Sequence, residues 1–318
     1  MSELRTSKMI KTVSGWISPS QAAITDAHNH VWIEPVSGAA AGSPTLIDLE
    51  NIKLELRDYS EEGGSTIVDC QPGGCGRNGE ILYRLSNTTG VNIIACTGYH
   101  LQQYYPNDYW LFNTSAEKAE AYFLGELRDG ITETRYRDRP IKAGFIKIAC
   151  QATLEGSPIH LMEAAVNACL ETEAALEVHT EKGAQGVEIA RTLLDFGISP
   201  QKLILCHVDK KPDFRFHMEL LSAGITLEYD TFFRPKYHPD TNLWPLLEYV
   251  IENGFEDQIV VATDLAEDVL WSRLGNGPGL SGLINLIIPR MVEIGIHQTI
   301  IQKLAGGNIA SRLAQGVK

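Results

Sequence analysis

No apolar run in this chain approaches the roughly 20 residues that a membrane-spanning helix requires, and its first 21 residues lack the apolar stretch of a signal peptide. Positive charge is also short. Asp and Glu number 40 against 27 Lys and Arg, a formal charge of −13, and such a surface repels phosphate backbones and anionic lipid. Neither nucleic acid nor membrane is therefore expected as a partner. The six cysteines (Cys70, Cys75, Cys96, Cys150, Cys169 and Cys206) form no CxxC pair and most sit inside apolar segments. They read as small buried residues of a reducing compartment, and a cytoplasmic location is the expectation.

What is present suits one large core. The 318 residues are 44% apolar, with 28 Gly and 14 Pro, and no linker, low-complexity tract or charge block divides them. The expectation is one domain over 1–318, with 1–20 as an N-terminal extension over the lower end or edge of the fold and 283–318 as closing helices. Eight β-rich segments recur: 22–31, 66–70, 91–98, 143–150, 175–180, 203–208, 225–230 and 259–264. Amphipathic runs such as 115–129, 160–173 and 185–196 lie between them, which argues for parallel strands joined by right-handed crossovers. An open doubly wound sheet and a closed (β/α)8 barrel both satisfy that alternation. The count of eight favours the barrel, and so does the polar residue near the end of nearly every strand. Barrel enzymes build their sites there, whereas an open sheet gathers such groups at one switch point. The predicted fold is an α/β class (β/α)8 TIM barrel.

Asp26-Ala27-His28-Asn29-His30 is the sharpest local signal. Strand side chains alternate with period 2, so His28 and His30 share a face and can chelate one ion. His179, His207 and Asp264 end three further strands and bring three more metal-competent groups to the same rim. Dispersed, cysteine-free ligands favour an open catalytic site over a closed structural one, and His with carboxylate suits Zn2+, Mn2+ or Co2+. Lys147, in Phe145-Ile146-Lys147-Ile148, is the odd member. A buried ammonium must be paired, deprotonated or modified. A salt bridge is the ordinary answer. Beside four inward histidines, a carbamate formed from Lys147 and CO2 is the alternative that removes the positive charge.

Taken together, these residues resemble the phosphotriesterase-related family of the amidohydrolase superfamily. The resemblance runs the whole length and is strongest at Gly64–Asp69, Gly76-Arg77-Asn78, Thr89–Ile94, Gly98-Tyr99, Gly144–Lys147 and Thr263-Asp264. It implies that His28, His30 and Asp264 hold one divalent ion and that His179 and His207 hold a second. Zn2+ is the first expectation for both, with Mn2+ or Co2+ as alternatives. It further implies that carboxylated Lys147 and a hydroxide bridge the pair, that the hydroxide attacks the substrate, and that Asp264 accepts its proton. Asn29 departs from the Glu that relatives carry between the two histidines. A homodimer is a further expectation from the family.

The loops after the seventh and eighth strands look like the branch that opens phosphorylated sugar lactones. Lys210 after the sixth strand, with Arg234, Lys236 and Arg273, could receive an anionic group or be solvated loop cations. That branch carries an Arg three residues after the last metal Asp and a Tyr six after it. This chain has Glu267 and Leu270 instead, and a desolvated Glu would repel a dianion by several kcal/mol, on the order of Coulomb estimates at effective ε ≈ 20. The expected substrate is a lactone, unphosphorylated on this argument, or a related carboxylic ester. Phosphotriester or phosphoester hydrolysis is the alternative, and a non-catalytic binding barrel is the third reading. His100 is either a donor to the substrate or a rim residue. Tyr104–Trp110 reads as packing or an interface. Gly73–Gly79 lacks the GxxxxGK[ST] pattern and reads as a structural turn.

Overall fold

The computed structural model describes residues 8–317. The chain enters as an antiparallel hairpin, β1 (Lys8–Thr12) and β2 (Gly15–Ile17). Eight strands follow: β3 (Ile24–Asn29), β4 (Gly64–Asp69), β5 (Asn92–Gly98), β6 (Phe145–Ala149), β7 (Leu176–His179), β8 (Leu203–Cys206), β9 (Thr226–Tyr229) and β10 (Ile259–Val261). They pair in sequence order as one eight-stranded sheet, parallel throughout. The sheet curls into a nearly closed barrel, and across the seam the Asp264 N–H donates to the His28 carbonyl at 3.1 Å. All eight expected strands are there, and the barrel reading holds.

Helices cover the outside because their apolar faces demand it. In 159–172, Leu161, Met162, Ala164, Ala165, Val166, Ala168 and Cys169 are buried. Helix starts follow capping chemistry, with Asp48, Asn78 and Ser115 side chains accepting the first free backbone N–H groups. Asn78 explains the glycine-rich segment before it, which is a turn that ends in a helix cap.

A second apolar cluster fills the barrel's lower interior. Val68, Ile94, Phe145, Ile204 and Val260 from the strands meet Ile10 of β1 and Ile309 and Leu313 near the C-terminus. The hairpin and the last helix thus close the lower end; residues 1–7 of the expected 1–20 extension lie outside the described residues. The closing segment departs from expectation at its end. After helical runs over 283–293 and 298–313, Gln315–Gly316 forms β11, antiparallel to β1. The second run bends at Ala305 and Gly306, where a Cβ on Gly306 would lie 1.8 Å from the Ala23 carbonyl oxygen. Only glycine allows that approach. With the bottom plugged, the upper end is where the lining turns polar.

Candidate metal centre

Of six side chains singled out in the sequence, five converge on that upper end and Lys147 lies one layer beneath. His28 lies in β3 with His30 just beyond it, Lys147 at the middle of β6, and His179 at the end of β7. His207 and Asp264 follow β8 and β10 with left-handed backbone, φ 64° and 47°. Such a φ costs a non-glycine residue about 1–3 kcal/mol and clusters at functional sites. His28 Nε2 and His30 Nε2 each lie 3.9 Å from Asp264 Oδ1, and one ligand atom from each residue falls within 4.8 Å of the others. The His207 ring is 4.9 Å from that of His28 and 4.6 Å from that of His179.

Every histidine has one ring nitrogen committed to a partner. His28 Nδ1 meets Glu228 Oε1 and His30 Nδ1 meets Gln71 Oε1, each at 2.7 Å. His207 Nδ1 meets Asp230 Oδ2 at 2.7 Å, and His179 Nε2 meets Glu181 Oε1 at 2.9 Å. The opposite nitrogen is left for a ligand in His30, His179 and His207, while in His28 it meets Lys147 Nζ at 3.3 Å; four imidazoles with one carboxylate fit divalent cations of the zinc type. Charge states agree for His30, His207 and Asp264, and His28 departs from them. Burial, and then His28, push His30 down to about 3, and burial takes His207 well below the usual histidine value. Burial acts upward on Asp264, but His207, Arg234 and His28 outweigh it and hold the carboxyl below its ordinary range. His28 moves upward, because Cys70 and the two glutamates beside it outweigh burial and Lys147.

Below this rim Lys147 is fully buried, its Nζ 2.8 Å from Glu177 Oε1, 3.3 Å from His28 Nε2 and 3.5 Å from Cys206 Sγ. The salt bridge is thus the state this structure holds. Glu177 and Glu228 went unnoticed in the sequence, although a signal was available. Each precedes a polar residue at or just past its strand's end, His179 or Asp230, by two positions, and period 2 places it on the same face one layer deeper. Gln71 and Glu181 carried no such signal. Asn29 braces the barrel seam, its Nδ2 donating to Asp26 Oδ2 at 2.8 Å and to Thr263 Oγ1 at 2.9 Å, and its Oδ1 accepts the His30 backbone N–H at 2.9 Å.

A cavity of about 850 Å3 stands over the rim, and His100, Lys210, Arg234, Lys236 and Glu267 line it. Arg273 does not; its guanidinium is paired with Asp58 at 2.7 and 2.9 Å, against the helix at 49–61. Arg234 donates to the Asp264 carbonyl at 2.6 Å and to Asp264 Oδ2 at 3.1 Å, and lies 3.5 Å from Glu267 Oε1. Glu267 therefore faces a cation, which weakens the repulsion expected of it. His100 Nδ1 accepts the Leu101 N–H at 2.7 Å, so in the neutral ring Nε2 carries the proton. Tyr104 stands edge-on to His100 and lines the cavity, while Tyr105 stacks on Tyr109 with centroids 4.6 Å apart. The aromatic cluster is thus mostly packing.

A parallel barrel with an imidazole–carboxylate cluster at the C-terminal ends of its strands is built for metal-assisted hydrolysis. The chain matches the phosphotriesterase family over residues 8–310 and belongs to it. It is similar to the phospho-furanose lactonase of Mycoplasmopsis agalactiae, with 29% identity over 96% of this chain and 92% of that one. Its similarity to the Mycoplasmopsis synoviae phospho-furanose lactonase is 27% over 92% and 88%. The human N-acetyltaurine hydrolase is 24% identical over 93% and 95%. Among solved structures, the lactonase Lmo2620 from Listeria monocytogenes aligns with a TM-score of 0.86 and 25% identity, covering 98% of this chain and 100% of that one. Family membership and the donor cluster together make the chain a divalent-metal-dependent hydrolase. Among the described residues no helix is long and apolar enough to cross a membrane.

Proposed function

We propose that this protein opens a lactone to its hydroxy acid, or cleaves a related carboxylic ester to an acid and an alcohol, by adding water to the carbonyl carbon. The observation that carries the reading is the set of four histidines and Asp264 beneath one cavity, with a donor atom uncommitted within the protein on His30, His179, His207 and Asp264 and with His28 Nε2 met by Lys147 Nζ. His28, His30 and Asp264 would hold one divalent ion, and His179 and His207 the other, Zn2+ first with Mn2+ or Co2+ as alternatives. Lys147, in the layer beneath, is the position for a carbamate formed with CO2, and to form it Nζ must leave Glu177. Bound there, divalent cations would acidify a water and polarise the ester carbonyl.

The chain's own groups supply the rest. Asp264, held anionic by its neighbours and oriented by Arg234, is the acceptor for the proton of the attacking water. His100 offers Nε2–H as a neutral donor to the substrate oxygen. Lys210 and Lys236 line the wall where an anionic or hydroxyl-bearing substituent would sit, and Glu267 tempers that wall against a dianion. The similarity to lactonases supports the substrate class. A cytoplasmic homodimer completes the proposal.

The test is a pH-indicator assay of metal-loaded protein against sugar lactones with and without phosphate, simple esters and an activated phosphotriester. Turnover of a lactone, abolished by chelation and restored by Zn2+, Mn2+ or Co2+, is the expected result. Loss of both metal and rate in Asp264→Asn should accompany it. Turnover of the phosphotriester with none of any lactone or ester would overturn the reading.

A further inference from the structure

Barrel interiors are normally filled by branched apolar side chains, yet the layer under the metal rim here contains Lys147, Glu177 and Glu228, none of them exposed. Lys147 and Glu177 account for one another, Nζ to Oε1 at 2.8 Å. Glu228 has no such cation of its own. Its Oε1 meets His28 Nδ1 at 2.7 Å, and its Oε2 is buried without a hydrogen-bond partner among the described residues. A buried carboxylate with a single side-chain partner costs stability, so the fold gains little from Glu228. What Glu228 does accomplish is visible in the ring it touches.

His28 Nδ1 lies 2.7 Å from Glu228 Oε1 and 3.1 Å from Glu177 Oε1. With both glutamates ionised, the two carboxylate oxygens around this ring nitrogen call for an N–H there, which puts a ring proton on Nδ1. Glu177 Oε1 already receives Lys147 Nζ and, at 3.0 Å, Cys70 Sγ. Glu228 is therefore the acceptor that fixes the ring. In the neutral ring the lone pair is then on Nε2, the atom that lies 3.3 Å from Lys147 Nζ and 3.9 Å from Asp264 Oδ1. We infer that Glu228 is a positioning residue: it locks the tautomer and the tilt of His28 so that Nε2 alone is offered to the cation held with His30 and Asp264. The inference rests on the metal-site reading above, but it concerns binding and not turnover. Partners of this kind typically govern metal affinity by about 10–100-fold.

The experiment compares the chelated and reloaded full-length protein with Glu228→Met, which fills the space without an acceptor, and Glu228→Gln, which keeps one. Zn2+ affinity is read by competition with a chromophoric chelator, and ligand geometry by the visible spectrum of the Co2+ form. The expected result is a 10- to 100-fold loss of affinity at one of the two sites in Glu228→Met, with an altered Co2+ spectrum. Glu228→Gln should recover affinity to within about threefold of the parent chain. Full affinity in Glu228→Met overturns the inference. So does an equal loss in both variants, because charge or packing would then be responsible rather than the acceptor. Should Glu228→Met fail to fold, by circular dichroism and melting of the chelated form, Glu228→Gln decides alone: parental affinity and spectrum support the inference, and a tenfold loss overturns it. Failure to turn over any lactone would remove the proposed reaction while leaving this metal-binding result intact.

Discussion

The Lys147–Glu177 pair allows the sharpest quantitative test. At 2.8 Å, opposite unit charges attract by about 6 kcal/mol at an effective dielectric near 20. Dehydrating both ions opposes that attraction by several kcal/mol each, so the intact pair contributes little net stability over an apolar replacement. Breaking it is different. Lys147→Met leaves Glu177 buried with His28 Nδ1–H and the thiols of Cys70 and Cys206 as its remaining partners, and should destabilise the metal-free protein by about 3–5 kcal/mol. Glu177→Leu strands the ammonium and should cost about as much. Lys147→Met/Glu177→Leu together should return to within about 1–2 kcal/mol of the parent, since two apolar groups of similar size fill the same space. The assay is guanidinium denaturation of chelated protein, followed by circular dichroism for all four chains. Additivity within about 0.5 kcal/mol would refute the reasoning, because residues that do not interact add. A second arm addresses the loaded protein. Reconstitution with 13C-bicarbonate and Zn2+ should give a carbamate resonance that is absent from Lys147→Met, and its absence from the parent would remove the carbamate.

Three further outcomes follow from the same structure. Burial holds His217 down to about 4 from the ordinary 6.5. The ring accepts from the Tyr229 hydroxyl at 3.0 Å and donates Nε2–H to the Lys211 carbonyl at 2.9 Å. A depressed histidine stabilises fully above the unfolded value and loses that stability as pH falls from 6.5 towards 4. The loss is about 3 kcal/mol, and comparing denaturation midpoints of the parent and His217→Asn across that window checks it; parallel curves would contradict it. At Gly98, with φ +116°, a Cβ would lie 1.8 Å from the Lys147 carbonyl oxygen. Gly98→Ala should therefore destabilise by more than about 3 kcal/mol and reduce metal content, read by melting and elemental analysis. Glu267 has a half-exposed side chain, so solvent limits its influence to about 1 kcal/mol. Glu267→Gln should raise kcat/KM for a phosphorylated lactone by about two- to fivefold relative to its unphosphorylated parent, and an unchanged ratio would remove Glu267 from substrate selection.

The barrel and its rim were legible because both arise from short-range rules. Period-2 strands with a polar residue at the end and amphipathic runs between them fix the alternation, and the same period puts His28 and His30 on one face. What stayed hidden depends on which strands are neighbours. Leu176-Glu177-Val178 reads as an apolar strand interrupted by one acid until β6 and β7 are aligned, when Lys147 and Glu177 prove to be directly opposed. Glu228 gains meaning only from His28, 200 positions away. Arg273 was misjudged for the complementary reason. Its loop follows the last barrel strand and so belongs to the rim by sequence, but Ser272–Gly275 forms a short helix whose N-terminal groups bond to Glu55. That turns Arg273 towards Asp58 and away from the cavity.

The vertical order of the barrel explains how such a site is tolerated. The lowest layer is apolar and sealed by Ile10, Ile309 and Leu313, and the helices pack a much larger apolar shell outside the strands. That burial supplies the stability. The middle layer can then carry groups that a core would exclude: an ammonium, two glutamates and the thiols of Cys70 and Cys206, all within reach of His28 or of one another. These groups set how the rim imidazoles are oriented and charged before any cation arrives. The rim in turn uses the left-handed backbone of His207 and Asp264 to bring two late residues over the barrel axis. Arg234 then pins Asp264 through both its carbonyl and its carboxylate. Preorganisation at the rim therefore rests on ionic chemistry one layer down, and a substitution there should change metal binding before it changes the fold.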